Sequence, residues 1–154
     1  MIKLNKLTDY AIVILTYLAK GEKQFYTVNK IVDATTLSQP TVAKLMKQLS
    51  KLDLVLASRG AQGGYQLNID PSDTTLADIV KAFEGPVSVT NCNSPNSKTC
   101  MIKQCCTLGP IWNKIDRELM SVLHNYTIEA LVHYEELNHF MKLPHSQQED
   151  HTHV

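Results

Sequence analysis

The order of periodic segments in this 154-residue chain predicts a mainly α fold built on a winged helix-turn-helix. Three observations carry that expectation. Two short helical patterns, residues 27–35 and a segment opening at Ser38, are separated only by a tight turn. Two strand-like runs around a glycine-rich turn follow directly. A long helical pattern then resumes after residue 110, beyond a polar segment holding every cysteine in the chain.

From Lys6 to Lys20, apolar side chains recur at Leu7, Tyr10, Ala11, Ile14, Leu15 and Leu18, a helical stripe that Gly21 ends. The second helix has Thr27 as N-cap and Val28, Ile31 and Val32 facing inward. Ser38 is placed to cap the third helix, with Pro40 in its first turn, where the missing N–H costs nothing. Val42, Leu45, Met46, Leu49 and Leu52 are its buried face. Residues 54–59 and 65–69 read as strands flanking Gly60-Ala61-Gln62-Gly63-Gly64, a hairpin placed where a wing belongs. A fourth helix runs from about Thr75 to Glu84, with Leu76, Ile79, Val80 and Phe83 on one face and Gly85-Pro86 as its stop. Residues 87–110 show no period. A long helix follows from Ile111, with Ile115, Leu119, Val122, Leu123 and Tyr126 on one side. Thr127 can cap a last helix reaching Met141.

The chain is 44% hydrophobic, enough for a core, and no apolar run reaches the roughly 18 residues of a membrane span. No secretory signal opens it, so a cytoplasmic location is expected. The formal net charge is zero, but residues 1–70 carry nine Lys/Arg against five Asp/Glu, and residues 71–154 carry six against ten. A basic first half suits a module that displaces counterions from a duplex.

In a helix-turn-helix the second helix enters the major groove. Here it offers Ser38, Gln39, Pro40, Thr41, Lys44 and Lys47. Gln can pair with adenine, Thr can bond a base or touch a thymine methyl, and Lys can reach guanine or phosphate. The competing reading is an ordinary solvated face. At the wing, Arg59 is placed to enter the minor groove, and Gly60, Gly63 and Gly64, with Tyr65 behind them, allow close backbone approach to phosphates. Thr27 adds a contact at the start of the second helix. The expected partner is double-stranded promoter DNA.

Cys92, Cys100, Cys105 and Cys106 lie within 15 residues. Clustered thiolates can serve an iron–sulfur centre, a structural zinc or a thiol–disulfide switch. A bridge between vicinal Cys105 and Cys106 would be strained. No Cys-x-x-Cys pair, paired carboxylates or Ser-His-Asp set can be argued from this chain, so neither an enzyme nor a small-molecule substrate is expected. A winged helix used only for protein contacts is a further reading.

Several stretches together resemble the IscR/NsrR-type winged-helix regulators that sense iron–sulfur status or nitric oxide. They are Leu7-Thr8-Asp9-Tyr10-Ala11, the wing Arg59 to Tyr65, the cysteine segment, Trp112, and Thr127 to Val132. Within that family the chain is most similar to regulators of the SUF iron–sulfur assembly operon. Counting back from Trp112 sets Cys106, not Cys105, on the family's third cysteine, with Cys92 and Cys100 as the first two. Where IscR members have a histidine ligand this chain has Gly109. Asp9 matches an acidic ligand that some members supply from the other subunit's first helix, and Cys105 competes for that role. A plain helix-start carboxylate is the other reading of Asp9.

The resemblance implies an iron–sulfur cofactor, [2Fe–2S] favoured over [4Fe–4S], in a homodimeric repressor or dual regulator. It divides the chain into a DNA-binding winged helix-turn-helix (1–85), a cluster-binding loop (86–110), a dimerisation helix with a C-terminal helical stretch (111–143) and a disordered tail (144–154). Trp112 is expected in the dimer core. Cluster loss or modification would shift the population of DNA-competent protein.

Overall fold

A computed structural model describes residues 4–21, 23–60, 63–90 and 106–141. The order is α1 (Lys6–Lys20), α2 (Val28–Thr35), α3 (Gln39–Lys51), β1 (Val55–Ser58), β2 (Gly64–Leu67), α4 (Leu76–Glu84), α5 (Gly109–His124) and α6 (Ile128–Met141). Local chemistry explains most of these boundaries. The Asn5 side chain accepts from the Leu7 N–H at the start of α1, and Thr27 does the same for Lys30 in α2. At α4 the Thr75 hydroxyl and the Asp78 carboxylate satisfy each other's backbone N–H groups in a capping box.

The centre of the molecule is α1. Its buried Ala11, Ile14, Leu15 and Leu18 meet Ile31 from α2, the stripe Val42, Leu45, Met46 and Leu49 from α3, and Val55 from β1. The α2–α3 turn passes through Thr36, which is left-handed at φ 56° and ψ 11° and gives its N–H to the Val32 carbonyl. That conformation is costly for a β-branched residue.

Strands β1 and β2 pair antiparallel, Val55 opposite Leu67 and Ser58 opposite Gly64. On its other side β2 is bridged by Tyr26, whose N–H and carbonyl bond Tyr65 at 2.8 and 2.9 Å. The wing is therefore stitched to the segment leading into α2. Gly64 makes this possible: at φ +153°, a Cβ there would lie 2.5 Å from the Tyr26 carbonyl oxygen.

The C-terminal half returns to this core. Ile128, at the start of α6, is fully buried in the same cluster as α1. Backbone bonds from Leu76 to Tyr126 (2.8 Å), Ile128 to Thr74 (2.9 Å) and Glu129 to Pro71 (2.9 Å) fasten the α5–α6 corner to the start of α4. This docking of α6 was not expected for a stretch grouped with the dimerisation helix. By contrast, α5 buries none of its residues.

Three expectations need correction. Ser38 has N-cap backbone geometry, but its side chain makes no capping bond and meets the Thr41 hydroxyl at 2.8 Å instead. Leu52 follows α3 as its C-cap and is only half-buried, because the helix ends at Lys51. The helix expected from Ile111 begins at Gly109, because Pro110 fits the first turn, where no N–H is needed.

Candidate nucleic-acid interface and cysteine segment

Because one face of α3 is buried in the core, the opposite face is presented outward. Gln39, Pro40, Lys44 and Lys47 are exposed, and the helix QPTVAKLMKQLSK contains no acidic residue. Pro40, Lys44 and Lys47 recur at helical spacing and so lie along one side. Thr41 is half-buried and engaged with Ser38, so the two hydroxyls act as a pair at the helix start. Gln39 Nε2 reaches Asn29 Oδ1 on α2 at 3.5 Å. Sequence reading passed over Asn29, since an exposed Asn inside a helix carries no local signal.

At the wing Arg59 is exposed directly after β1, and Gly60 follows at φ +112°. Gly63 donates its N–H to the Gly60 carbonyl at 3.0 Å, and a Cβ on Gly63 would clash with the Ser58 carbonyl oxygen at 2.5 Å. Tyr65 is half-buried and packed against the core, so its ring supports the wing from behind. Thr27 is exposed, and its hydroxyl caps α2. The lysines of α3 and the arginine of the wing therefore belong to elements that both pack on α1.

The cysteine segment leaves the end of α4 and returns to the start of α5. Cys92, Cys100 and Cys105 lie outside the described residues. Cys106 is described: its thiol is free and half-buried, two residues ahead of the α5 N-cap Leu108. Asp9 is exposed on the first turn of α1. Among the described residues no group of three or more His, Cys, Asp or Glu side chains could hold a metal ion.

Two carboxylates that sequence reading did not single out hold the start of the segment. Glu84 Oε1 accepts from the Asn5 N–H at 2.9 Å and from the Thr8 hydroxyl. Asp116 on α5 accepts from the Val89 N–H at 2.7 Å and from the Ser88 hydroxyl at 3.4 Å. Neither pairing has a short-range signature.

The outer face of α5 exposes Ile111 and Val122, at 54% and 53%, with Ile115 beside them and the exposed Lys114–Glu118 ion pair alongside; Tyr126, just past the helix, is 50% exposed. Trp112 is half-buried. Among the described residues, no helix is long and apolar enough to cross a membrane.

Residues 4–134 match the family model of Rrf2, described as an iron-dependent transcriptional regulator. The chain belongs to the Rrf2 family. It is similar to the HTH-type transcriptional regulator NsrR of Oceanobacillus iheyensis, 29% identical over 134 residues that cover 86% of this chain and 91% of the relative. The NsrR of Bacillus subtilis is 28% identical over 131 residues, covering 84% and 90%. Among solved structures, CymR, the global cysteine regulator of B. subtilis, superposes with a TM-score of 0.70 at 27% identity, covering 87% of this chain and 98% of that one. IscR of T. potens superposes at 0.68 and 25% identity, covering 89% and 90%. This Rrf2 protein is thus a transcriptional regulator of the IscR/NsrR type with a winged-helix fold, not an enzyme.

Proposed function

We propose that this Rrf2 regulator senses iron–sulfur status through a cluster held by Cys92, Cys100 and Cys106 and controls SUF-type cluster-assembly genes. The observation that carries the reading is the free, half-buried Cys106 thiol just ahead of α5, in a segment with three further cysteines. Thiolates are the donors that iron–sulfur centres take. Asp9, exposed on α1, supplies the fourth ligand across the dimer, with Cys105 as its alternative. The donor set fits a cluster, and we take [2Fe–2S] as its form. When bound, the cluster supplies a centre that iron supply, oxygen or nitric oxide can alter.

Residues 1–85 read promoter DNA, with Lys44, Lys47 and Arg59 on phosphates and Gln39 on a base edge. Residues 86–110 hold the cluster. The exposed apolar residues of α5, Ile111, Ile115 and Val122, pair with a second copy together with Tyr126 just beyond the helix. Covering the exposed half of each such side chain contributes about 0.5–1.5 kcal/mol. A dimer carries two recognition helices to a pseudo-palindromic site.

Anaerobic purification tests the reading. Iron and labile sulfide in the wild type, lost on changing Cys92, Cys100 or Cys106 to Ala, support it. Zinc at one per subunit with no labile sulfide would assign a structural metal instead.

A further inference from the structure

The segment between α4 and the first cysteine is held at both ends. At one end Glu84 closes α4 and takes two hydrogen bonds from the start of α1. Thr8, whose hydroxyl it satisfies, is 1% exposed, and the Asn5 N–H belongs to the N-cap. A carboxylate there also faces the positive end of α1. At the other end Asp116 Oδ1 takes the Val89 N–H at 2.7 Å, with its second oxygen 3.4 Å from the Ser88 hydroxyl. Ser88 also bonds the Thr90 carbonyl at 2.7 Å, which stiffens the last residues before the cysteine segment.

Between these anchors lies Gly85, at φ +77° and ψ −157°, a conformation open essentially to glycine alone. The strap from Glu84 to Val89 can span at most roughly 18 Å when fully extended. A displacement of residue 91 pulls on Val89, and through Asp116 it pulls on α5. Through Glu84 it pulls on the first turn of α1, whose Ile14 and Leu15 share a core with Leu45 and Leu49 of the recognition helix.

We propose that residues 84–90 form a coupling strap, with Glu84 and Asp116 as positioning residues, that transmits a change in the cysteine segment to α5 and the DNA-reading body. The proposal rests on the reading that the cysteines hold a cluster. None of its residues is among the side chains assigned above to DNA contact or to cluster ligation. It sets how strongly the two states of the segment differ in DNA affinity. That difference is a coupling free energy, for which a ratio of about 5- to 150-fold is ordinary.

The test compares the full-length wild type with Asp116→Asn, Asp116→Ala and Gly85→Ala. Each is prepared anaerobically with its cluster and again after stripping by chelation. DNA affinity is read by fluorescence anisotropy on a duplex selected by the wild type from a random pool, with iron, sulfide and the visible spectrum measured on every sample. The wild type should show a loaded-to-stripped affinity ratio of about tenfold or more. Asp116→Ala and Gly85→Ala should keep the wild-type iron, sulfide and spectrum while that ratio collapses toward one, and Asp116→Asn should fall between. A merely structural role would lower stability and leave the ratio alone.

Retention of the wild-type ratio in Asp116→Ala and Gly85→Ala overturns the strap. So does loss of the cluster in those variants, which would make the residues part of its holding site. Should Asp116→Ala fail to fold, Asp116→Asn and Gly85→Ala carry the comparison. Absence of iron and sulfide from the wild type overturns the cluster reading itself, and the strap with it, and is told apart by the metal analysis alone.

Discussion

Replacing Gly64 with alanine should detach the wing from the body of the domain. A Cβ at Gly64 would sit 2.5 Å from the Tyr26 carbonyl oxygen, 2.8 Å from its carbon and 3.2 Å from the Thr27 nitrogen. All three are backbone atoms and cannot rotate aside, so β2 must withdraw. Withdrawal stretches the two Tyr26–Tyr65 backbone bonds of 2.8 and 2.9 Å. Two such bonds are worth about 1–3 kcal/mol together. Holding alanine at φ +153° adds roughly 1–2 kcal/mol. The reduced freedom of the unfolded chain returns about 0.4–1 kcal/mol. The net loss is about 1–4.5 kcal/mol. Gly60→Ala is the control: it also has positive φ, at +112°, but nothing lies within 4 Å of its Cβ, so only the conformational cost applies. Urea unfolding of both variants beside the wild type measures the difference. Equal losses in the two, or a loss below about 0.5 kcal/mol in Gly64→Ala, would refute the Tyr26 contact as the reason for glycine there.

Other outcomes follow from the same structure. Arg59→Ala should weaken promoter binding and reduce the slope of log affinity against log salt by about one, as measured by anisotropy titrations across salt concentrations. An unchanged slope would remove Arg59 from the phosphate contacts. Thr36→Asn should stabilise the protein by roughly 0.5–1 kcal/mol in urea, because Asn tolerates the left-handed conformation that Thr36 adopts at φ 56°. The Thr75 hydroxyl, bonded to Asp78 at 2.6 Å, is the first cause holding the Asp78 carboxyl below its ordinary range. A depressed folded value gives stability that is present above the unfolded value of about 3.9 and lost as the pH falls through the folded one. Asp78→Asn should therefore flatten the acid limb of the stability curve below about pH 4 and leave its shape near neutrality unchanged.

How much of this was legible in the sequence depended on the range of the interaction. Helices α1 to α4 announced themselves through local apolar stripes and stop signals, with Thr27 read as a cap, whereas the caps Asn5 and Thr75 emerge only in the structure. The recognition face was legible for the same reason, since burying Val42, Leu45 and Leu49 turns Lys44 and Lys47 outward. Contacts between distant segments left no periodic trace. Nothing near Tyr26 says that it will bridge β2, and nothing near Ile128 says that it will be buried beside α1. Ser38 misled because a serine before a helix usually caps it, whereas here Thr41 competes for the hydroxyl. The wing glycines were read as room for phosphate. Gly64 shows that at least one of them makes room for the protein's own backbone. Glu84 and Asp116 were invisible for a related reason: each is an ordinary surface-type carboxylate until the fold brings an N–H and a hydroxyl to it.

The central claim joins DNA binding to the state of the cysteine segment. Its most direct test is the affinity of the anaerobically isolated wild type for its selected duplex, measured at one fixed salt concentration before and after cluster removal. The account predicts a change of about tenfold or more, abolished in Cys106→Ala. Equal affinity in the two states, from protein shown to carry iron and sulfide beforehand, would contradict it.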